Sequence, residues 1–146
     1  MKTAIVYFSK HHGNTKKLVD AIAAAHEVTL INAADGAGAS LKEFDRIGLA
    51  SGIYAGSFGK PLIAFAEREL PAGKPVFFIS TSASPSGKAY LKSIRRVTES
   101  KSCKELGAYH CTGFNTFGPF KLVGGTAKGH PTEEEIQAAV KFYENL

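Results

Sequence analysis

Residues 9 to 17 read Ser-Lys-His-His-Gly-Asn-Thr-Lys-Lys and follow directly on the apolar run Thr-Ala-Ile-Val-Tyr-Phe. A strand handing over to a helix through such a turn exposes unpaired backbone N–H donors and a partial positive charge at the helix start. Ser9, Asn14 and Thr15 add side-chain donors suited to an oxygen-rich anion. The stretch has no first glycine at the offset of a GxxxxGK[ST] phosphate loop, and the GxGxxG of a dinucleotide site is missing too. No carboxylate lies in the loop to hold magnesium, so a phosphomonoester bound without a metal fits better. The adjacent His11 and His12 leave three readings open. Neighbouring residues in a tight loop point apart, and no Cys, Asp or Glu stands close by to complete a set, which weighs against a shared metal. The other two are contact of one imidazole with a phosphate or a ring, and a structural role. A histidine beside a dianion would have its pKa raised.

Two more segments share the composition of the first. Ser51 to Lys60 and Ser80 to Gly87 are rich in Gly, Ser, Thr and Ala, which let backbone amides and hydroxyls approach a ligand closely. Both follow apolar runs, and in open α/β sheets ligands bind beyond the carboxyl ends of the strands. No catalytic triad or paired carboxylate set emerges. Ser-Thr-Ser-Ala-Ser-Pro-Ser-Gly, residues 80 to 87, is not the GxSxG elbow of a serine hydrolase. His26, His110 and His130 are scattered and read as structural.

The elements that must position these loops follow from periodicity. Continuous apolar runs predict strands at Ala4–Phe8, Glu27–Ile31, Asp45–Ser51, Pro75–Thr81 and Leu106–Phe114. Between them, Leu18, Ile22 and Ala25 mark one amphipathic helix, with Val19 and Ala23 widening its stripe. Leu62, Phe65 and Ala66 mark a second, and Leu91, Ile94 and Val97 a third. Residues 32–44 offer at most a short helix near Leu41. The last helix carries a capping box, Thr132 at the N-cap and Glu135 three residues on, with Glu133 to Glu135 complementing the positive helix start. This alternation predicts one α/β domain over residues 1–146, a parallel sheet covered on both faces. The irregular stretch from Asn115 to Pro131 is longer than ordinary connections and has no readable role.

Composition narrows the class. With 146 residues and 44% hydrophobic content the chain can bury a sizeable core. No window approaches the roughly 18 consecutive apolar residues of a membrane span. The start of the chain lacks the apolar core and cleavage site of a signal peptide, so a cytoplasmic protein is expected. Cys103 and Cys111 match no CxxC spacing and read as buried thiols. The net charge is +5, and Lys88, Lys92 and Arg95 recur at helical spacing. That stripe is either a solvated face or a steering surface for an anionic partner, an acidic protein before a nucleic acid.

The chain resembles the flavodoxin family. The likeness is carried by the strand–Gly-Asn-Thr–helix opening, by SGIYAGSFGKPLIAFAE after the third strand, by STSAS after the fourth, and by the five-strand length. It covers nearly the whole chain, and GFNTFGPF…GGTAKGHPTEEEI is similar to the ending of one flavodoxin-like subgroup. In the family's S/T-x-T-G-x-T loop, Ser9, Gly13, Asn14 and Thr15 match, while His11-His12 replaces the central Thr with one residue extra. The resemblance implies a flavodoxin-like three-layer fold with a five-stranded parallel sheet in the order 2-1-3-4-5. It implies non-covalent FMN, its phosphate on Ser9, His11, His12, Gly13, Asn14 and Thr15. The ring would lie between Ser51, Gly52, Ile53 and Tyr54 on one side and Thr81, Ser82 and Ala83 on the other. A flavin ring needs an apolar or aromatic face; with no Trp in the chain, Tyr54 is the stacking candidate and Phe58 the substitute.

The implied function is electron transfer between redox partner proteins. Flavodoxins are typically acidic whereas this chain is basic, so the expected partner has an acidic docking face. Lys60, flanking the ring loop, is expected to make the potential for the second electron less negative. The alternatives are an NAD(P)H-dependent quinone or FMN reductase of the same fold, and a flavin-free binding module.

Overall fold

Unbroken apolar runs become interior strands because both of their faces need cover. The computed structural model describes residues 1–10, 13–36, 39–82, 88–112 and 129–146. Its strands are β1 (Thr3–Phe8), β2 (Thr29–Asn32), β3 (Arg46–Tyr54), β4 (Ser57–Phe58), β5 (Pro75–Ser82) and β6 (Lys104–Thr112). Its helices are α1 (Asn14–Ala25), α2 (Lys60–Glu69), α3 (Lys92–Ser100) and α4 (Glu133–Glu144). The main sheet runs β2-β1-β3-β5-β6 with every neighbouring pair parallel. With the two-residue β4 set aside, this is the expected order 2-1-3-4-5.

Alternation along each strand sends side chains to two cores. Ala4, Val6, Ile47, Leu49, Val76 and Phe78 face α2 and α3, where they meet Leu62, Phe65, Ile94 and Val97. Ile5, Ala50, Phe77 and Ile79 face α1 and α4, where they meet Leu18, Val19, Ile22, Ala139, Val140 and Tyr143. Gly48 of β3 is small for a reason: a Cβ there would stand 2.4 Å from the ring of Phe77 on β5.

Several boundaries differ from the periodicity. Ala25 is exposed and the α1 stripe stops at Ile22, because His26 leaves the helix in an extended conformation. Leu41 is buried, but in a turn rather than a helix. The segment after the third strand is not simply a loop. β3 continues to Tyr54 and folds back as an antiparallel hairpin, Tyr54 opposite Ser57 and Ile53 opposite Phe58. Ala55 and Gly56 at its tip have φ of 51° and 79°, the left-handed pair of a tight two-residue turn. β6 spans Lys104–Thr112, and the remaining Gly113 and Phe114 of the expected strand lie outside the described residues, as do residues 115–128 of the long irregular stretch.

The basic stripe is also revised. A 3-10 turn at Lys88–Leu91 precedes α3, which breaks the expected helical spacing. Arg95 does not face solvent alone: its guanidinium donates to both oxygens of Glu105 on β6, at 2.9 and 2.8 Å. Cys111 is buried and Cys103 half-buried, both free thiols, and burial pushes the Cys111 thiol up to about 12. No helix among the described residues is long and apolar enough to cross a membrane.

Candidate functional site

Sheet order reverses between β1 and β3, and a crevice opens at such a reversal beyond the carboxyl ends of the strands. Register brings the candidate residues to that edge together. Phe8, Ser51, Ser80 and His110 form one row across β1, β3, β5 and β6, and Gly52, Thr81 and Cys111 form the next.

The first loop closes onto α1 through Gly13, whose φ of 65° only glycine adopts at little cost. Among the described residues, a Cβ at Gly13 would meet nothing within 4 Å. The first turn of α1 holds no acidic residue, and its N-cap residue, Gly13, has no side chain to cap it. α4 is the contrast. Its start is satisfied internally by the capping box of Thr132 and Glu135, with Glu133 and Glu134 beside it in the first turn. The Lys16 amide donates weakly to Ser9 Oγ at 3.4 Å, which places Ser9 beside the α1 amides.

Not every expected donor is offered to a ligand. Thr15 is fully buried, and its hydroxyl shares a 2.9 Å hydrogen bond with that of Thr81. Ser51 is fully buried as well. Its Oγ donates to the Gly52 carbonyl at 2.6 Å and accepts from the Gly59 amide at 2.9 Å, closing the hairpin onto the start of α2. Both residues build the site's frame rather than facing a ligand. His11, His12 and Ala83 lie outside the described residues.

Tyr54 is the aromatic of the ring side. It is half-buried, and its hydroxyl accepts from the Lys10 amide at 2.8 Å, tying the hairpin to the first loop. The ring meets Phe8 edge-on at 5.7 Å. It also lies against Gly52, where a Cβ would stand 2.7 Å from the phenolic oxygen. Burial raises the Tyr54 pKa above its ordinary value, the Lys10 amide pulling the other way. Phe58 is buried against Phe78 and is not available as a substitute stacking face. Lys60 is exposed at the first position of α2, one residue past the hairpin's Gly59.

Sequence reasoning passed over His110. Its Nδ1 lies 2.6 Å from Ser80 Oγ and its Nε2 2.9 Å from Ser82 Oγ. Tyr90 packs on its ring at 5.2 Å between centroids. The other two scattered histidines each pair with an acid of α4: His26 with Glu144 near its end and His130 with Glu135 in its first turn. No group of three or more His, Cys, Asp or Glu among the described residues could hold a metal ion.

An order-reversing parallel sheet with helices on both faces and a mouth at its carboxyl edge defines the doubly wound α/β class. Within it, the chain belongs to the flavodoxin domain family, whose model matches residues 4–113. An uncharacterized protein of Methanocaldococcus jannaschii is 35% identical over 147 residues, covering 100% of this chain and 98% of that protein. Among solved structures, oxidised flavodoxin 2 of Bacillus cereus aligns with TM-score 0.67 at 20% identity, covering 100% of both chains. A flavoprotein in complex with FMN from Lactobacillus acidophilus aligns with TM-score 0.59 at 15% identity, over 75% of this chain and 93% of that one.

Proposed function

We propose that this chain binds FMN without a covalent link and carries electrons between redox partner proteins. The observation that carries the reading is the start of α1 at Gly13, with a left-handed glycine at the N-cap and no acid in the first turn, standing at the sheet edge beside the ends of β3 and β5. Those features fit the group. Backbone amides at Gly13 to Lys16 and the Ser9 hydroxyl suit a terminal phosphate, and the missing acid in the first turn leaves the helix charge to be met by the ligand. Family membership and the FMN bound to the Lactobacillus acidophilus flavoprotein support the choice of flavin.

On this reading FMN supplies one- and two-electron chemistry, and the chain supplies binding, orientation and electrostatics. Gly52 to Tyr54 and Thr81 to Ala83 flank the ring, Tyr54 offering an aromatic edge and Gly56, at the hairpin tip, a backbone with no side chain in the way. The Thr15–Thr81 bond couples the phosphate side to the ring side. Lys60 adds positive charge near the ring loop. Exposed Lys60, Lys92 and Arg96 on the α2–α3 side, with the overall +5, suit a partner with an acidic docking face. A cytoplasmic location accords with electron carriage of this kind.

The test is a purified full-length chain titrated with FMN and, separately, incubated with NADPH and a quinone. A carrier quenches FMN fluorescence and oxidises NADPH only when a reductase is supplied. Turnover without a reductase makes it an enzyme, and no quenching leaves a flavin-free module.

A further inference from the structure

His110 reaches across from β6 to two hydroxyls on β5 at once. Ser80 and Ser82 are two residues apart and so share a strand face, and His110 is the register partner of Ser80. One ring nitrogen lies 2.6 Å from Ser80 Oγ, the other 2.9 Å from Ser82 Oγ. A neutral imidazole donates from one nitrogen and accepts at the other, and a serine hydroxyl plays either part. Both bonds therefore form in either tautomer, and the ring is held at both ends.

The site of this bridge gives it consequence. Ser82 is the last residue of β5, and Tyr90, packed on the His110 ring, lies in the 3-10 turn that leads into α3. One imidazole thus contacts the chain on both sides of residues 83–87. Thr81, between the two bridged serines, points to the opposite face and is held there by Thr15 of α1. The end of β5 is gripped from both faces of the sheet.

We propose that His110 is a positioning residue for the ring side of the cofactor site, clasping Ser80, Ser82 and Tyr90 so that Thr81 and Ser82 are held in place before a flavin ring arrives. The inference rests on the flavin-binding reading above. A group fixed in advance spares the ordering cost at binding, so loosening the clasp weakens ring binding and leaves phosphate binding alone.

The test compares FMN with riboflavin, which lacks the phosphate. Dissociation constants for both come from fluorescence quenching by the wild-type chain, His110→Phe and His110→Gln. Visible circular dichroism of the bound flavin reports the surroundings of the ring. His110→Phe is expected to weaken FMN and riboflavin by the same factor, about tenfold for two lost hydrogen bonds, and to alter the visible dichroism. His110→Gln, which keeps a bond to one serine, recovers part of both. Should His110→Phe fail to fold, the double variant Ser80→Ala/Ser82→Ala removes the same bonds and carries the same expectation. Affinities within twofold of wild type in a folded variant overturn the clasp and leave flavin binding standing, as does weakening of FMN with riboflavin unchanged. A wild-type chain that binds neither flavin overturns the reading and the clasp together.

Discussion

The Thr15–Thr81 hydrogen bond joins hydroxyls 66 residues apart. Replacing Thr15 by Val keeps the shape but leaves the Thr81 hydroxyl buried without that bond. Urea unfolding should then show a loss of about 1–3 kcal/mol; an unchanged midpoint would mean the bond is replaced. At Lys60 the effect is electrostatic. Lys60→Gln removes an exposed positive charge near the ring loop, and redox titration should find the potential for the second electron more negative by up to about 20 mV. That is the unscreened effect of a unit charge about 10 Å away in water. No shift beyond error would remove local charge control. The residue types that gather at the candidate site were legible in the sequence because Gly, Ser and Thr cluster after the strands. Their partners were not. Ser51 and Thr15 read as donors for a ligand, and only the fold shows their hydroxyls turned inward. His110 read as an isolated histidine because its serines lie 28 and 30 residues away.

At the scale of elements, local rules were legible and distant ones were not. The capping box at Thr132 and Glu135 was readable because its parts lie three residues apart, and both of its hydrogen bonds are present. What the sequence did not disclose is that Glu135 also accepts from the Thr112 amide of β6 and pairs with His130. Burial pushes the Glu135 carboxyl upward, but the Thr132 amide, His130 and the Thr112 amide outweigh it and hold the pKa below its ordinary 4.5. A carboxyl lowered in the folded state stabilises fully above its ordinary value and loses that contribution as pH falls through the folded one. The stability gap between wild type and Glu135→Gln, followed by thermal unfolding, should therefore be widest near pH 7 and shrink below about pH 4.5. A gap independent of pH would contradict this. Thr132→Ala should cost about 1 kcal/mol through the lost cap. The β3–β4 hairpin escaped notice because its tip is Ala55-Gly56 rather than the usual Asn-Gly or Asp-Gly signal. The basic stripe misled because a 3-10 turn interrupts it and Glu105, ten residues on, takes up Arg95.

For the whole molecule, the alternation of elements pointed to a parallel sheet covered on both faces, while the strand order 2-1-3-4-5 came from the flavodoxin resemblance and is the order the sheet has once β4 is set aside. The net charge of +5 acts at this scale too. Electron transfer to a partner with an acidic face should slow as ionic strength rises, because screening shortens the reach of the attraction; stopped-flow rates that do not change with salt would argue for a neutral docking face. Both the electron-carrier reading and the clasp depend on a flavin entering the mouth beside Gly13. The most direct measurement is a fluorescence titration of FMN with the purified chain at micromolar concentration. Stoichiometric quenching, with riboflavin bound more weakly for want of the phosphate, is the expected result. FMN fluorescence undiminished by excess protein would contradict it.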